Sequence, residues 1–421
     1  MSRIVVTTIG SLGDLHPKIA ISLELRRRGH QVIFATHREY QSKIETLGFE
    51  FRRIRPDNTG LEDPEEMARG MDLKTGSEYI VRDWICANLR ETYVDLIACC
   101  QDVDFIVAGE GVWAARLVAE KLNIGWTLAV LQPISFFSPY DPPVIPIFPY
   151  LAKLRRFGFL VNWGIFQFSK IISKSWVKPL HQIRKELTLP PLDGHPLFDA
   201  KYSPHLVLAL FSSVIAQAQS DWVENTVITG FTFYDGGQNL ELTPKLKQFL
   251  AAGEPPVVFT LGSAAVMSPG NFYPESIKAV RSLNCRAVLL IGKNPSPAGL
   301  TEDIIAVDYV PYSLIFPYAS AIVHQGGIGT TAQALKAGCP TLIMPYSHDQ
   351  PDNAARVQRL GTSLTISRKK YYAERVAKEL KKLLVNLNYK TKAEEIARLI
   401  RAEDGAKVAC DAIEKQLKRV S

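Results

Sequence analysis

The chain has 421 residues, of which 47% are hydrophobic and 22% charged, and its net charge is +7. This composition is typical of a folded globular protein and excludes an intrinsically disordered chain. The net charge is too small for a dedicated nucleic-acid-binding protein, so no nucleic-acid partner is expected, although it suits phosphate-bearing ligands or an anionic membrane surface. At roughly 100–200 residues per domain, the length predicts two or three domains.

The cysteines and the N-terminus favour a cytoplasmic protein. The six cysteines are scattered and include no C-x-x-C pair, so neither a zinc knuckle nor a disulfide framework is predicted. The first residues turn polar within a few positions and lack the apolar core of a signal peptide. No run reaches the roughly 18 uncharged apolar residues of a membrane span. We therefore expect a cytoplasmic location, with peripheral membrane contact as the other option.

In the first half of the chain, short β-branched runs alternate with helical patterns. Residues 4–8 predict a strand, residues 10–13 a turn, and residues 17–28 a helix that stops at Gly29. A helix is also predicted near 113–122. Further strands are predicted at 31–36, 105–108, 126–130 and 206–210, the last strand of this half.

The strand–helix alternation restarts in the second half, after an interruption. Six prolines in 132–150 predict a loop without regular structure, and the glycines and prolines of 230–256 predict a linker. Strands are then predicted at 257–261, 287–291, 304–307, 321–324 and 341–344. Alternating strands and helices predict an α/β fold of two doubly wound, Rossmann-like domains facing across a cleft. The expected parts are a first Rossmann-like domain (1–235), a linker (236–256), a second Rossmann-like domain (257–395), and a C-terminal helix (396–421).

A glycine-rich turn between a predicted strand and a predicted helix is the clearest candidate binding site. The strand 321–324 ends in His324, and three glycines and two threonines follow within 325–331. Glycines let the backbone approach a ligand closely, and the first N–H groups and dipole of a helix attract anions. With the imidazole of His324 and the hydroxyls of Thr330 and Thr331, this turn suits a diphosphate bound without metal. The alternative is a plain strand–helix turn with satisfied caps.

A second polar element follows the next predicted strand. Asp349 and Gln350 stand side by side after strand 341–344 and supply acceptors and donors together, as recognition of a polyhydroxylated ring requires. The alternative is a solvated loop in which Asp352 caps a helix. Because both elements follow the carboxyl end of a strand, where doubly wound sheets bind ligands, together they favour a binding site.

These motifs resemble the donor-binding signature of inverting glycosyltransferases of the UDP-glycosyltransferase superfamily, which use nucleotide sugars. At the N-terminus, residues 10–17 (GSLGDLHP) are similar to the G-x-x-G-D-x-x-P segment of the sterol and glycopeptide branch. Residues 259–263 and 348–354 are especially similar to the rhamnosyltransferases of rhamnolipid synthesis. The resemblance covers nearly the whole chain and implies the GT-B fold. In that fold, residues 1–235 would form the acceptor-binding domain and residues 257–395 the nucleotide-sugar-binding domain, and the C-terminal helix 396–421 would pack back on the first domain.

The resemblance also implies a catalytic base. In this family the base follows the first strand, three residues before a proline, and Asp14 occupies that place before Pro17. A base must lie within hydrogen-bond reach of the acceptor hydroxyl, whose proton it removes as the oxygen attacks the anomeric carbon. A nearby helix N-terminus would favour the ionised form of Asp14. Two alternatives are that Asp14 only caps the helix near Pro17 and that His16 is the base.

The donor residues follow from the same resemblance. It assigns the donor diphosphate to the glycine loop with His324 and the sugar hydroxyls to Asp349 and Gln350. It also assigns a phosphate contact to Ser263 and a main-chain contact with the nucleobase of the donor to Val310. The donor-binding residues expected are Gly13, Ser263, Val310, His324, Gly326, Gly327, Gly329, Thr330, Asp349 and Gln350. The plant members carry Trp and Pro-Gln near 309–312, and this chain does not. This difference leaves the preferred nucleobase undecided, so UDP and dTDP donors both stay open.

Acceptor binding and metal binding are less strongly marked. We expect Glu110, Trp113 and Phe136 on the acceptor side; Glu110 lies near the place where plant members carry an aspartate that partners the base. Residues 102–104 match the D-x-D metal motif of a different glycosyltransferase fold. They precede a predicted strand instead of following one, which indicates an ordinary helix-to-strand turn. We therefore expect no metal and no cofactor besides the nucleotide-sugar co-substrate.

The stretch 142–185 mixes basic and aromatic residues and contains no acidic residue. Such a mixture on helices suits contact with an anionic membrane surface, centred on 150–178, or an acceptor pocket with a basic rim. The third interpretation is that the aromatic residues pack the N-terminal core and the charges are solvated.

The expected function is transfer of a hexose, with inversion, from UDP-glucose or dTDP-rhamnose to a hydroxyl of a lipid or other hydrophobic acceptor. The alternatives are a nucleotide-sugar epimerase of the same fold and a catalytically silent subunit that binds a nucleotide sugar.

Overall fold

The computed structural model describes residues 1–57, 63–146, 158–236 and 241–420. Residues 237–240 of the predicted linker and 147–157 of the basic–aromatic stretch lie outside these ranges. The chain divides into two compact units: unit 1 contains Met1–Glu62, Lys74–Phe233 and Asp404–Ser421, and unit 2 contains Asp63–Leu73 and Tyr234–Glu403. Each unit is built around one parallel sheet.

The strands and helices follow in chain order. The strands are β1 (Arg3–Thr7), β2 (Gln31–Thr36), β3 (Glu50–Arg53), β4 (Phe105–Gly109), β5 (Gly125–Val130), β6 (Val207–Ala209), β7 (Thr226–Ile228), β8 (Val257–Thr260), β9 (Ala287–Leu290), β10 (Ile304–Val307), β11 (Ala321–His324), β12 (Thr341–Ile343) and β13 (Ser363–Thr365). The helices are α1 (Leu12–Arg27), α2 (Gln41–Thr46), α3 (Pro64–Gly70), α4 (Gly76–Glu78, continued as a π-helix over Tyr79–Cys86), α5 (Leu89–Cys99), α6 (Ala114–Leu122), α7 (Phe159–Ser173), α8 (Lys178–Glu186), α9 (Pro244–Ala251), α10 (Phe272–Ser282), α11 (Tyr312–Ile315), α12 (Ile328–Ala337), α13 (Gln350–Arg359), α14 (Ala373–Val385), α15 (Leu387–Arg401) and α16 (Gly405–Val420).

Both sheets have the strand order of a Rossmann fold. Unit 1 has the order β3-β2-β1-β4-β5-β6-β7 and unit 2 the order β10-β9-β8-β11-β12-β13, with every pair parallel. The order reverses between β1 and β4 in unit 1 and between β8 and β11 in unit 2. Ligands of open α/β sheets bind beyond the carboxyl ends of the strands at such a reversal point. The fold therefore predicts that ligands bind at the loops that follow β1, β4, β8 and β11.

The central strands form because their apolar runs can be buried on both faces of the sheet. In unit 2, Val257, Phe259 and Val323 pack on one face with helices α10 and α14, whereas Val258 and Ile322 pack on the other. These side chains are at most 1% exposed. The central strands are thereby fixed in register, and so are the loops at their carboxyl ends.

Helix α1 begins earlier than the sequence indicates. It starts at Leu12 instead of 17, so residues 12 and 13 are helical and Pro17 lies inside the helix. Ser11 caps this N-terminus, and its pairing with Asp14 is a Ser-x-x-acid capping pattern, which marks a helix start more reliably than the proline does. The consequence is that Asp14 lies in the first turn of α1.

Three edge strands have no counterpart among the predicted strands. β3 and β7 are the outer strands of the first sheet and β13 is an outer strand of the second. Each has only three or four residues and is incompletely buried, so it lacks an apolar run. The prediction that 206–210 is the last strand of the first half is therefore wrong, because β7 follows it. The proline-rich loop also contains a short 3₁₀ turn, Pro133–Phe136.

The units also differ from the predicted segments. The predicted linker 236–256 contains helix α9, whose Leu246 is fully buried in the core of unit 2. Helix α15, which includes part of the predicted C-terminal segment 396–421, belongs to unit 2. Helix α16 belongs to unit 1 and packs on α1 and β5. Residues 63–73 lie inside the predicted first domain, 1–235, but they belong to unit 2.

The described part of the chain contains no candidate membrane-spanning helix. No helix there is both long enough and apolar enough to cross a bilayer.

Candidate functional site

In unit 1, the candidate base Asp14 is held by the turn between β1 and α1. Its Oδ2 accepts hydrogen bonds from the Ser11 backbone N–H at 2.9 Å and from the Ser11 hydroxyl at 3.2 Å. Asp14 therefore does cap the helix, and its half-buried carboxylate is fixed in orientation. Gly10 has a φ of +118°, and a Cβ there would lie 2.5 Å from Asp14 Oδ2, so only glycine allows this approach.

A buried histidine holds the other side of the same turn. His37 is fully buried; its Nε2 accepts from the Gly10 N–H at 3.0 Å, and its Nδ1 lies 2.5 Å from the Pro56 carbonyl oxygen. Since Nε2 accepts a hydrogen bond, the ring proton is on Nδ1 and is donated to Pro56. Burial lowers the pKa of His37 and keeps the ring neutral.

Two opposing effects set the ionisation of Asp14. Burial raises its pKa above the ordinary value, and Glu110 adds to that effect. The positive charge of Lys18 and the hydrogen bonds from Ser11 lower the pKa. The rival base His16 is mostly buried, and burial lowers its pKa to about 4. His16 is thus a neutral, weak base at neutral pH, whereas the environment of Asp14 contains a compensating cation.

The expected acceptor residues lie in different surroundings. Glu110 follows β4; its Oε2 accepts from the Leu131 backbone N–H at 3.2 Å, and its Oε1 lies 3.7 Å from Lys201 Nζ. Phe136 is 8% exposed and stacks on Trp222 with ring centroids 3.8 Å apart. Its ring is packed inside unit 1, so in this structure Phe136 is not presented to a ligand.

Trp113 lines an apolar crevice that begins where β1 and β4 end. The crevice is narrow, and no space inside it is large enough for a water molecule. Its lining includes Ile9, Trp84, Ile85, Leu89, Gly111 and Trp113. Typical small-molecule sites have roughly 300–1,000 Å³, so this crevice would have to widen before part of an acceptor could enter it.

In unit 2, the glycine loop joins β11 to the N-terminus of α12. Gly326 has a φ of +91°, and a Cβ there would lie 2.8 Å from Ile343 Cγ2 and 3.1 Å from the Gln350 carbonyl oxygen. Glycine is therefore required at this position. Gly329 lies in the first turn of α12, and a Cβ there would meet nothing within 4 Å. The space beside Gly329 is open at the end of the helix that attracts anions.

His324 presents a buried N–H group beside this loop. The residue is 0% exposed, and its Nδ1 accepts a hydrogen bond from the Gly326 N–H at 3.0 Å. The ring proton is therefore on Nε2, which is buried and has no hydrogen-bond partner among the described residues. Burial lowers the pKa of His324 to about 3, so the ring is a neutral donor. A buried donor without a partner is costly, which favours a ligand at this place.

Asp349 and Asn353 link the two sequence motifs. Asp349 Oδ2 accepts from the Ile328 backbone N–H at 3.3 Å and from Asn353 Nδ2 at 2.6 Å. Asn353 Nδ2 also donates to the Gly326 carbonyl oxygen at 2.9 Å. The Asp349 carboxylate thus lies at the N-terminus of α12, next to the glycine loop. Since a carboxylate can accept about four hydrogen bonds, it retains capacity for a ligand hydroxyl.

The remaining members of the second motif are turned partly inward. Gln350 is 5% exposed, and its Oε1 accepts from the Tyr346 backbone N–H at 2.8 Å, which leaves the amide NH₂ as the end that suits a ligand. Asp352 does not cap α13: it forms a buried ion pair with Arg356, with Oδ2 and Nε 2.6 Å apart. The interpretation of Asp352 as a helix cap is therefore wrong.

The other expected donor residues are dispersed. Ser263 is exposed in the turn after β8, next to β11 at the reversal point of the sheet. The Val310 side chain is buried in the core, so only its backbone could contact a ligand. The Thr330 side chain is buried and hydrogen-bonds with Tyr312 instead of pointing into open space. Gly13 lies in unit 1, in the first turn of α1, and its N–H donates to Ser11 Oγ at 3.1 Å.

Three residues that lie beside the candidate site residues have little or no sequence pattern that predicts their position. Asn353 lies in the motif 348–354, and its position one helical turn after Asp349 could have indicated the contact. Lys18 lies one turn after Asp14 and is 1% exposed. Lys201 is distant in sequence from Glu110, and no local pattern predicts that they meet.

The described residues contain no group of three or more His, Cys, Asp or Glu side chains that could hold a metal ion. The expectation of a metal-free site stays a prediction.

Two family models match the chain. Residues 4–131 match the glycosyltransferase family 28 N-terminal domain, and residues 278–414 match the erythromycin biosynthesis protein CIII-like C-terminal domain. The first match covers Asp14 and the second covers the glycine loop. Together they span both Rossmann-like units.

Several known proteins are similar over nearly the whole chain. A sterol 3-beta-glucosyltransferase of Pichia angusta is 27% identical over 99% of this chain, which spans only 33% of that protein's length. O-mycaminosyltylonolide 6-deoxyallosyltransferase of Streptomyces fradiae is 28% identical, with 98% of this chain and 97% of that protein covered. The chain thus spans about a third of the sterol enzyme and nearly all of the Streptomyces enzyme.

Among solved structures, spinosyn rhamnosyltransferase SpnG in complex with thymidine diphosphate has a TM-score of 0.69 at 16% identity, with 98% of this chain and 99% of that chain covered. This likeness concerns the fold alone, which is the two-domain GT-B fold of glycosyltransferases. Because two glycosyltransferase family models match the chain and the relatives are similar over 98–99% of it, the chain belongs to the UDP-glycosyltransferase superfamily.

Proposed function

We propose that this protein transfers a hexose, with inversion, from UDP-glucose or dTDP-rhamnose to a hydroxyl group of a lipid or other hydrophobic acceptor. Asp14 acts as the general base, and no metal ion takes part. The observation that carries the proposal is the His324 Nε2–H, which is buried without a partner among the described residues, beside the glycine loop at the N-terminus of α12.

The donor diphosphate is proposed to lie on the first turn of α12. There it would accept hydrogen bonds from the His324 Nε2–H and from backbone N–H groups, and it would meet the positive end of the helix dipole. These contacts supply what a divalent cation supplies in other sites, namely stabilisation of the charge that develops on the leaving group. Asp349 and the amide of Gln350 would bind the sugar hydroxyls, since both are held against this loop.

The chemical step is a single displacement. The acceptor oxygen attacks the anomeric carbon of the donor sugar, and its proton passes to the Asp14 carboxylate. The bond between the anomeric carbon and the diphosphate oxygen breaks, and the nucleoside diphosphate leaves with both electrons of that bond. One displacement at one carbon inverts its configuration. The identity of the base fits the G-x-x-G-D-x-x-P pattern and the ordered carboxylate of Asp14.

The acceptor is proposed to be hydrophobic. The crevice lined by Ile9, Trp84 and Trp113 is apolar, and its lining residues Ile9 and Gly111 directly adjoin Gly10 and Glu110 in the chain. The relatives named above are named for transfer to a sterol and to O-mycaminosyltylonolide. Both names fit an apolar molecule that carries a hydroxyl group.

Helix α7 favours peripheral contact with an anionic membrane surface. Its polarity is inverted: Asn162 and Ser173 are buried, whereas Leu160 is 77% and Ile171 71% exposed. The exposed apolar side chains are Phe159, Leu160, Val161, Trp163, Phe168, Ile171 and Ile172. The interpretation that the aromatic residues of this stretch pack the core is therefore wrong for Trp163 and Phe168, although it holds for Phe166.

The charges around α7 support the same partner. Residues 158–185 include no acidic residue, and Lys174 and Lys178 are exposed. An apolar helix face flanked by lysines is typical of a segment that lies in the interface of an anionic bilayer. We infer that the protein takes its acceptor from, or near, such a surface.

Calorimetric titration with UDP-glucose and dTDP-rhamnose in the presence of EDTA tests the donor site. We expect one of the two donors to bind, and we expect His324→Ala to weaken binding roughly 10- to 100-fold, as loss of a hydrogen bond to a charged group does. Because His324 is neutral, donor affinity should stay nearly constant between pH 8 and 5.

His181→Ala is the matched control, since His181 is exposed on α8. Failure of both donors to bind, or equal binding by the His324→Ala protein, would contradict the proposed donor site. Product analysis then separates the alternatives, because an epimerase would change the donor sugar without an acceptor and a silent subunit would change nothing.

A further inference from the structure

Lys18 is a lysine in an unusual environment. It is 1% exposed and belongs to the largest fully buried side chains of the protein. Lysine is almost never fully buried unless other charges compensate for the loss of water. It lies on α1 one helical turn after Asp14, so the two side chains are on the same face of the helix. This burial requires a reason other than helix formation.

The Lys18 side chain reaches the carboxyl ends of β1 and β4, where the strand order reverses. A Cβ on Gly109, the last residue of β4, would lie 3.4 Å from Lys18 Cε and 2.9 Å from Thr8 Oγ1. The Lys18 side chain therefore packs directly against the end of β4. Burial lowers the pKa of Lys18, and the negative charges of Asp14 and Glu110 raise it again.

Glu110 is itself held in place. It accepts a hydrogen bond from the Leu131 N–H and lies 3.7 Å from the ammonium group of Lys201, a side chain that is 14% exposed. Charges of alternating sign thus meet near the carboxyl ends of β1 and β4, with Lys18 the most deeply buried of the four: Asp14, Lys18, Glu110 and Lys201. Such an alternation lets each charge be stabilised by its neighbours despite the low dielectric of the site.

We propose that Lys18 is a positioning residue for sugar transfer: its buried ammonium group keeps the neighbouring Asp14 carboxylate ionised, and therefore ready to accept the proton of the acceptor hydroxyl. The proposal rests on the proposed function, in which Asp14 is the base. Glu110 in turn holds the ammonium group charged. A cation inside the site thus offsets the cost of keeping a half-buried carboxylate negative.

The other titratable groups around Asp14 do not take this role. On its own helix, His16 has a pKa of about 4. From the residues after β2, His37 binds the Gly10 N–H and has a pKa lowered by burial, and Tyr40 donates to the Gly10 carbonyl oxygen at 2.9 Å and has a pKa raised by burial. None of the three is charged at neutral pH. Lys18 and Glu110 are the charges that act on Asp14.

The test is the pH dependence of kcat/KM for transfer by the wild-type protein and by Lys18→Met, which has a similar length without the charge. Activity rises with pH as Asp14 ionises. Without Lys18 the pKa of Asp14 rises, so the acidic limb should move to higher pH by about one unit or more, as expected for a charge at close range. The donor Kd should not change.

Two further variants make the result specific. Lys18→Gln, which also removes the charge but keeps a polar end, should move the acidic limb in the same direction as Lys18→Met. Lys201→Met also removes a buried ammonium group beside Glu110, but Lys201 is not among the charges that act on Asp14, so the limb should stay in place. If Lys18→Met does not fold, the Lys18→Gln shift still decides.

An acidic limb at the wild-type position in a folded Lys18→Met protein, or in a folded Lys18→Gln protein, would overturn the inference alone. Equal shifts in Lys18→Met and Lys201→Met would also overturn it, because they would reflect a general disturbance of the unit. Absence of transfer by the wild-type protein would instead overturn the proposed function, and this inference with it.

Discussion

Gly326 and Gly329 belong to one loop, but they are glycines for different reasons. Gly326 has a positive φ, and its missing Cβ would collide with Ile343, so the chain itself requires glycine there. Gly329 is helical and exposed, and no atom of the described structure limits its size. A ligand that packs against the first turn of α12 would supply that limit.

We predict that the alanine variants separate these two requirements. Gly326→Ala should lower the thermal stability and also weaken donor binding. Gly329→Ala should keep or slightly raise the stability, since alanine is favoured over glycine in a helix by about 0.5–1 kcal/mol, while still weakening donor binding. Thermal unfolding and calorimetric titration measure both effects. Wild-type donor affinity in Gly329→Ala would mean that the diphosphate does not lie on this turn.

At the same scale, part of the candidate site was predictable from the sequence. His324, Asp349 and the glycines were found because their residue types follow strand ends in a regular pattern. The partner of Asp349 was not found, since the contact of Asn353 with Gly326 depends on how two loops pack. The buried position of Lys18 was likewise unpredictable, because lysine on a helix ordinarily indicates solvent exposure.

At the scale of elements, the central strands were predictable and the edge strands were not. The runs of β1, β4, β8 and β11 are apolar enough to be recognised, and the family resemblance implied the fold that they form. The strands β3, β7 and β13 are short and partly exposed, so their sequences are like those of loops. The sequence places the start of α1 too late, because proline is typical of a first helical residue and Pro17 therefore outweighs the cap of Ser11 and Asp14.

Helix α7 gives an element-scale prediction about the membrane. The triple variant Leu160→Ser, Phe168→Ser and Ile171→Ser removes exposed apolar surface and leaves the buried Asn162 and Phe166 intact. If each side chain contributes about 1 kcal/mol of burial in the bilayer, the partition coefficient should fall on the order of 100-fold. Flotation with vesicles of phosphatidylcholine and phosphatidylglycerol measures it.

Leu387→Ser is the matched control, since Leu387 is 72% exposed on α15 and should not contribute. We expect wild-type flotation to require the anionic lipid and to weaken at high salt, because the lysines near α7 act through screened charges. Wild-type flotation by the triple variant would show that another surface makes the contact. If even the wild-type protein does not float, the membrane proposal fails.

At the scale of the whole molecule, the two Rossmann-like units were predictable, but the segments that complete them were not. Unit 1 takes its last helix, α16, from the C-terminus, and unit 2 takes residues 63–73 from the N-terminal half. Local patterns predict helices and strands but not which unit they join. In α16, for example, glycine is required at Gly405 because a Cβ there would lie 2.5 Å from the Phe231 carbonyl oxygen, a contact with no sequence signal.

For the molecule as a whole, we propose an inverting glycosyltransferase with Asp14 as its general base. The most direct measurement compares the wild-type protein with Asp14→Asn for donor Kd, for the rate of transfer to a panel of hydrophobic alcohols that includes a sterol, and for the anomeric configuration of the product. Asparagine can still accept the hydrogen bond from Ser11, so the helix cap should survive.

We predict a product of inverted configuration, an unchanged donor Kd, and a transfer rate reduced roughly 10²- to 10⁴-fold in Asp14→Asn, as loss of a general base requires. Transfer by Asp14→Asn at nearly the wild-type rate, or a product of retained configuration, would contradict the account.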